Sequence, residues 1–207
     1  MDRNAGGIEP VRRDRMERKM SAENWNGEID LLRANGVTLA GGLSKQEFEQ
    51  AETLHDFRFP PDLRSFLSEV LPVGDSFPDW RNPDSDYIFD RLAWPFHGIA
   101  FDIEQNNFWF PDWGVRPADL AEAIERARTS VADAPKLIPI YGHRYISEEP
   151  HEAGNPVFSV YQTDIIYYGN DLRRYLSHEF RATNRDEAIL GEPRNIPFWT
   201  DFMESYT

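Results

Sequence analysis

Residues 154–180, GNPVFSVYQTDIIYYGNDLRRYLSHEF, carry two hydrophobic periods back to back. Residues 157–161 and 165–168 are short apolar runs rich in β-branched and aromatic side chains, separated by Gln162-Thr163-Asp164, and they read as strand, tight turn, strand. Asn170 can then cap a helix on which Leu172, Tyr175 and Leu176 share one face. A chain that changes period over so few residues must lay a hairpin against a helix. That limits the fold to mixed architectures and reads as the end of a compact domain.

Helices are signalled upstream. Ser21 can cap one whose apolar residues Trp25, Ile29 and Leu32 fall at i, i+4 and i+7, with Gly36 placed to stop it. Ser44 to Glu47 is a capping box opening a second helix through about His55. Pro60-Pro61 leads into a third, with Leu63, Phe66, Leu67, Val70 and Leu71 as its apolar stripe and Pro72 and Gly74 closing it. From Pro72 to Pro95 there are four prolines, five aspartates and no sustained period, which reads as a loop with aromatic anchors.

Further on, Ile99, Phe101 and Ile103 alternate, as do Phe108 and Phe110 beyond the polar residues 104–107, a hairpin pattern. Residues 112–117 turn the chain into a helix with Leu120, Ile124, Ala127 and Val131 inward and Glu122 and Arg126 paired on the wet side. Residues 137–141 read as a strand, and the tail NIPFWTDFMES as a short aromatic helix folded back on the body. Segregated blocks of helices and hairpins predict a single α+β domain over residues 20–207, a mostly antiparallel sheet flanked by helices. Residues 1–19 have no apolar periodicity and read as a flexible tail, with Met20 a plausible alternative start.

The 207 residues include 14 Phe, 6 Trp and 8 Tyr, ample for a folded core, and no cysteine, which excludes disulfides, thiolate nucleophiles and cysteine metal sites. The 22 Lys and Arg against 36 Asp and Glu give −14. Residues 1–19 hold six basic and four acidic side chains, so their excess of two leaves −16 on the remainder. Such a field repels nucleic acid and anionic membranes and steers basic partners, although solubility alone also accounts for it. No apolar run is long enough to span a bilayer, and the N-terminal residues lack a signal-peptide core, so the expected location is the cytoplasm.

Catalytic signatures fail one by one. Gly74-Asp75-Ser76-Phe77-Pro78 has proline where a nucleophile elbow needs glycine, Ala182 stands where a second zinc imidazole would follow His178-Glu179, and Tyr87 replaces the glycine of a calcium loop begun by Asn82, Asp84 and Asp86. No phosphate-binding or dinucleotide fingerprint appears. His143, Glu148, Glu149, His151 and Glu152 fall within ten residues, but their spacing fits no standard metal site. They read as a polar surface loop, with His143 bonded to a backbone carbonyl near a strand end. No catalytic residue, metal or cofactor is assigned. Of the aromatics in or beside loops, Trp94 and Trp109 read as core, whereas Trp80 with Arg81 reads as an exposed pair.

The capping box leading into FPPDLRSFL (residues 59–67), the stretch GIAFDIEQNNFWF (residues 98–110) and the closing GNPVFSVYQTDIIYYGNDLRRYL (residues 154–176) resemble the SUKH superfamily, over roughly residues 43–180. That group includes bacterial toxin-immunity proteins and a fungal regulator of cell-wall glucan synthesis. The chain departs from the pattern in the longer loop after the proline-led helix and in a lengthened stretch at residues 143–155. The resemblance implies an α+β domain that binds and occludes a partner without catalysis.

Residues and resemblance together lead to a cytoplasmic, non-enzymatic binding protein, an immunity or regulatory protein docking an acidic face on a basic partner protein such as a toxin domain. Asp79, Trp80, Arg81, Asp84, Asp86, Tyr87, His143 and Tyr145 are its candidate contacts, with charge from residues 75–90 and anchors in Trp80 and Tyr87. The alternatives are a small-molecule or carbohydrate-binding protein, possibly hydrolytic, that stacks ligands on loop aromatics beside carboxylates, and a scaffold with several partners.

Overall fold

A computed structural model describes residues 24–181 and 191–205. The expected cap Ser21 and the tail over residues 1–19 lie outside them. Among the described residues there are seven α-helices: α1 (Asn26–Ala34), α2 (Lys45–His55), α3 (Pro61–Glu69), α4 (Asp86–Gln105), α5 (Leu120–Ala132), α6 (Leu172–Arg181) and α7 (Trp199–Glu204). Strands β1 (Thr38–Gly41) and β2 (Val70–Val73) form an antiparallel pair. Strands β3 (Leu137–Tyr141), β4 (Arg144–Ser147), β5 (Val157–Tyr161) and β6 (Asp164–Gly169) form an antiparallel sheet in that spatial order. The arrangement is the expected α+β class.

The four-stranded sheet is buried on both faces, which is why its strands read as nearly unbroken apolar runs. Ile138, Ile140, Ile146 and Val157 pack with α1, α2, α3 and α6 in one core. Their sequence neighbours Leu137, Tyr145 and Phe158, together with Val160, point the other way into a second core with α4, α5 and α7. Strand β4 lies inside the stretch that reads as a lengthened insertion. It is short and pairs with β3 through a turn at Gly142, whose φ of 51° suits glycine.

The capping box forms as expected: the Ser44 N–H donates to Glu47 Oε2 at 2.7 Å, and the Glu47 N–H donates to Ser44 Oγ at 3.3 Å. Helix α3 ends earlier than its stripe predicts, at Glu69. Val70 and Leu71 belong to β2 and pair with Gly41 and Ala40. In α5, Ala123 and Ala127 are buried, whereas Leu120, expected inward, is 40% exposed.

The largest correction concerns residues 86–110. The expected loop and hairpin are instead the 20-residue helix α4 followed by a short 3-10 turn at Pro111–Trp113. Ser85 caps α4, accepting the Ile88 N–H at 3.4 Å, and Ile88, Phe96, Ile99 and Ile103 are its buried face. The apparent alternation of Ile99, Phe101 and Ile103 holds only two inward residues, one helical turn apart, while Phe101 is 46% exposed. Pro95 sits inside this helix and has no N–H to donate to the Arg91 carbonyl. The Tyr145 hydroxyl donates to that carbonyl instead, at 2.8 Å.

Candidate partner-binding surface

The segment over residues 74–85 joins β2 to α4 and is fixed along its length. Trp80 is 1% exposed, set edge-on to Phe57 at 5.6 Å and Phe59 at 5.0 Å. This corrects the reading of Trp80 as an exposed anchor: an indole beside two phenylalanines gains more from burial than it could from solvent. Arg81 turns back onto the body, where its guanidinium pairs with Glu47 at 3.2 Å and donates to the Gly41 and Gly42 carbonyls. It staples the loop to the start of α2. The Gly142 N–H donates to the Ser76 carbonyl at 2.7 Å, and the His55 imidazole lies 2.7 Å from the Pro83 carbonyl.

With the aromatic turned in, the acids are turned out. Asp75, Asp79, Asp84, Asp86 and Asp90 are all exposed. Asp79 accepts the Arg81 N–H at 3.2 Å, whereas no hydrogen bond or ion pair engages the Asp84, Asp86 or Asp90 carboxylate among the described residues. Asp86 opens α4, where a negative charge complements the helix dipole. Tyr87 is half-buried. Burial raises its phenol above the ordinary value, partly opposed by the Arg91 charge.

An anchor absent from the sequence reading appears beside these acids. Phe89 is 48% exposed, one turn along α4 from Asp86. Phe89 sits edge-on to His55 at 5.0 Å, His55 stacks on Phe57 at 6.3 Å, and Phe57 meets Phe59 at 4.8 Å. A ladder of rings thus runs from the core to a surface bearing carboxylates. Recognising Ser85 as a cap would have placed Phe89 in the first turn of a helix, next to the buried Ile88 and one turn from Asp86.

The remaining candidates lie elsewhere. Tyr145 is fully buried and cannot meet a partner, and burial pushes its phenol up to about 12, opposed by Arg91. His143 is half-buried in the β3–β4 turn. Its carbonyl accepts the Val160 N–H at 2.9 Å and its ring lies 6.2 Å from Tyr161. The ring makes no hydrogen bond among the described residues, so the expected imidazole-to-carbonyl bond is not formed. Burial, then Arg144 and Arg91, lower its pKa. Thus the structure groups Asp79, Arg81, Asp84, Asp86 and Tyr87, and assigns Trp80 and Tyr145 to the interior.

Residues 143–152 are not gathered as a metal site. Glu148 accepts the N–H groups of Arg58 and Lys136, Glu149 pairs with Arg58 at 3.2 Å and Glu152 with Arg194 at 3.3 Å. No group of three potential ligands is arranged for a metal among the described residues. Asp62 has its pKa raised by burial, yet it is tied to the Gly154 and Leu63 N–H groups at 2.9 and 3.0 Å, joining α3 to the segment before β5. Beneath the acidic loop lies a cavity of about 20 Å³ walled by apolar residues including Leu67, Phe77, Trp80 and Leu176, far below the size of a ligand site.

No family model, curated protein or solved structure matches this chain. The surface therefore has to be read from its own chemistry. No helix among the described residues is long and apolar enough to cross a membrane.

Proposed function

We propose that this protein is a non-enzymatic binding protein of SUKH type, acting in the cytoplasm as an immunity or regulatory protein that holds a basic partner protein against the surface of Asp79, Asp84, Asp86 and Asp90. The observation that carries this reading is Phe89, half exposed at 48% and backed by His55 and Phe57 among unpaired carboxylates. A rigid apolar anchor inside a charged rim is the pattern of an interface hot spot. The net charge of −14 raises encounter rates with a positively charged surface.

The resemblance lends support through its two flanking motifs: the capping box with the proline-led helix, and the closing hairpin with its helix, both adopt the expected conformations. Its middle motif is mostly helical, and the weight of the proposal rests on the surface.

The test is affinity capture with the tagged protein at low and high salt, run beside Phe89→Ala and a triple variant D79N/D84N/D86N. The expected result is a dominant basic protein that salt releases, that the triple variant associates with at least about tenfold more slowly at low salt, and that Phe89→Ala holds about tenfold more weakly. Capture unaffected by both variants would refute the proposal, and so would a partner lacking a basic surface.

A further inference from the structure

A second concave surface lies where the C-terminal end of α4 meets the β5–β6 turn. Asp102, Asn107, Trp109, Tyr161, Gln162 and Asp164 line a shallow, open cleft of about 480 Å³ there. Its floor is built firmly. Asp102 is 4% exposed and accepts three hydrogen bonds: from the Thr163 N–H at 2.9 Å, from the Thr163 hydroxyl at 2.6 Å and from the Asn106 carboxamide at 2.6 Å. Gly98 lets the turn lie against the helix, because a Cβ there would stand 2.6 Å from Gln162 Cα. The two walls are locked before any ligand arrives.

The rim differs in chemistry from the acidic face. The Trp109 indole is oriented by donating to the Gly114 carbonyl at 2.7 Å and by Trp113, whose ring lies 5.1 Å away. Tyr161 is 57% exposed. Among the described residues no hydrogen bond engages the Tyr161 hydroxyl or the side chains of Gln162 and Asp164. No lysine, arginine or histidine lines the cleft, and Arg116 beside it is engaged by the Asn107 carboxamide oxygen and the Ile103 carbonyl. Asp102 is already met by three donors, which leaves Asp164 as the lining carboxylate open to a ligand.

Aromatic rings beside planar amide and carboxylate groups suit a ligand with an apolar C–H face and a ring of hydroxyls. The rings accept the C–H face, and the planar groups bridge adjacent hydroxyls. We propose that this cleft binds a neutral saccharide. The site is independent of the proposed partner surface and shares no residue with it.

The test is ligand-observed and amide-mapped NMR with neutral monosaccharides and short neutral oligosaccharides, using arginine, choline and inorganic phosphate as contrasting probes. At least one saccharide is expected to shift the amides of residues 102–109 and 161–164 in the millimolar range. Trp109→Ala and Gln162→Ala are expected to weaken it about tenfold each, whereas Phe89→Ala leaves it unchanged. Because Trp109→Ala could perturb the local fold, Asp164→Asn and Tyr161→Ala serve as second variants, with thermal melts confirming folding. The proposal fails if no saccharide binds, if the shifts map elsewhere, if folded variants retain full affinity, or if a cationic or anionic probe occupies the cleft in place of the sugars.

Discussion

Tyr145 repairs a defect in the backbone of another element. Proline at position 95 frees the Arg91 carbonyl, and the Tyr145 phenol, fully buried on β4, donates to it at 2.8 Å. Tyr145→Phe keeps the packing and orphans that acceptor, so a loss of about 1–2 kcal/mol is expected at neutral pH, read by urea unfolding. The phenol also contributes to an alkaline limit, together with the fully buried Tyr175, whose burial likewise raises its phenol well above the ordinary value. The folded pKa of Tyr145, raised to about 12 from 10.0 by burial, means that its contribution is fully present below pH 10 and lost as pH rises toward 12. The two-unit shift corresponds to about 3 kcal/mol. Tyr145→Phe should therefore flatten the fall in stability above pH 10, and an unchanged alkaline slope would show that other groups control it. None of this is visible in the sequence, where the tyrosine is one of several aromatics near a turn and its partner lies 54 positions away. Trp80 misleads in the opposite sense, since its polar neighbours hide the distant Phe57 and Phe59 that bury it.

At the level of elements, the ends of the chain's regular segments were legible wherever local chemistry decided them. The Ser44 box, the proline-led α3 and the β5–β6 hairpin feeding α6 each depend on contacts within a few residues. Helix α4 was obscured because its interior proline is a local breaker and its compensation is tertiary. Strand β4 was obscured because four residues are too few to show a period. One further contact between elements is testable. Gly98 on α4 touches the β5–β6 turn so closely that Gly98→Ala must push the Gln162 backbone away. Despite alanine's better helix propensity, a net destabilisation of about 1–3 kcal/mol is expected in chemical denaturation. A stabilised variant would mean that the turn moves freely relative to the helix.

For the molecule as a whole, the α+β class followed from segregated periodicities, but the division into two cores did not, because side-chain alternation shows that both faces are buried and not what buries them. The candidate surface was legible as charge and illegible as anchors: the acids stand in plain view, while Phe89 becomes outward only once α4 exists. A sheet shared by two cores should couple them. Loss of far-ultraviolet dichroism and of the tryptophan signals from Trp25 and Trp80 in one core and Trp113 and Trp199 in the other is expected in a single coincident transition. Separated midpoints would show two independent folding units.

The bonds that hold residues 74–85 run mostly through backbone atoms, Trp80 and Arg81, and scarcely involve the aspartates they display. Apart from Asp79, which accepts the Arg81 N–H, and Asp86, which opens α4, the charged letters of this surface can therefore be rewritten without disturbing the frame that presents them. Substitutions at Asp84 and Asp90 would change the charge of this face while the same folded platform is inherited.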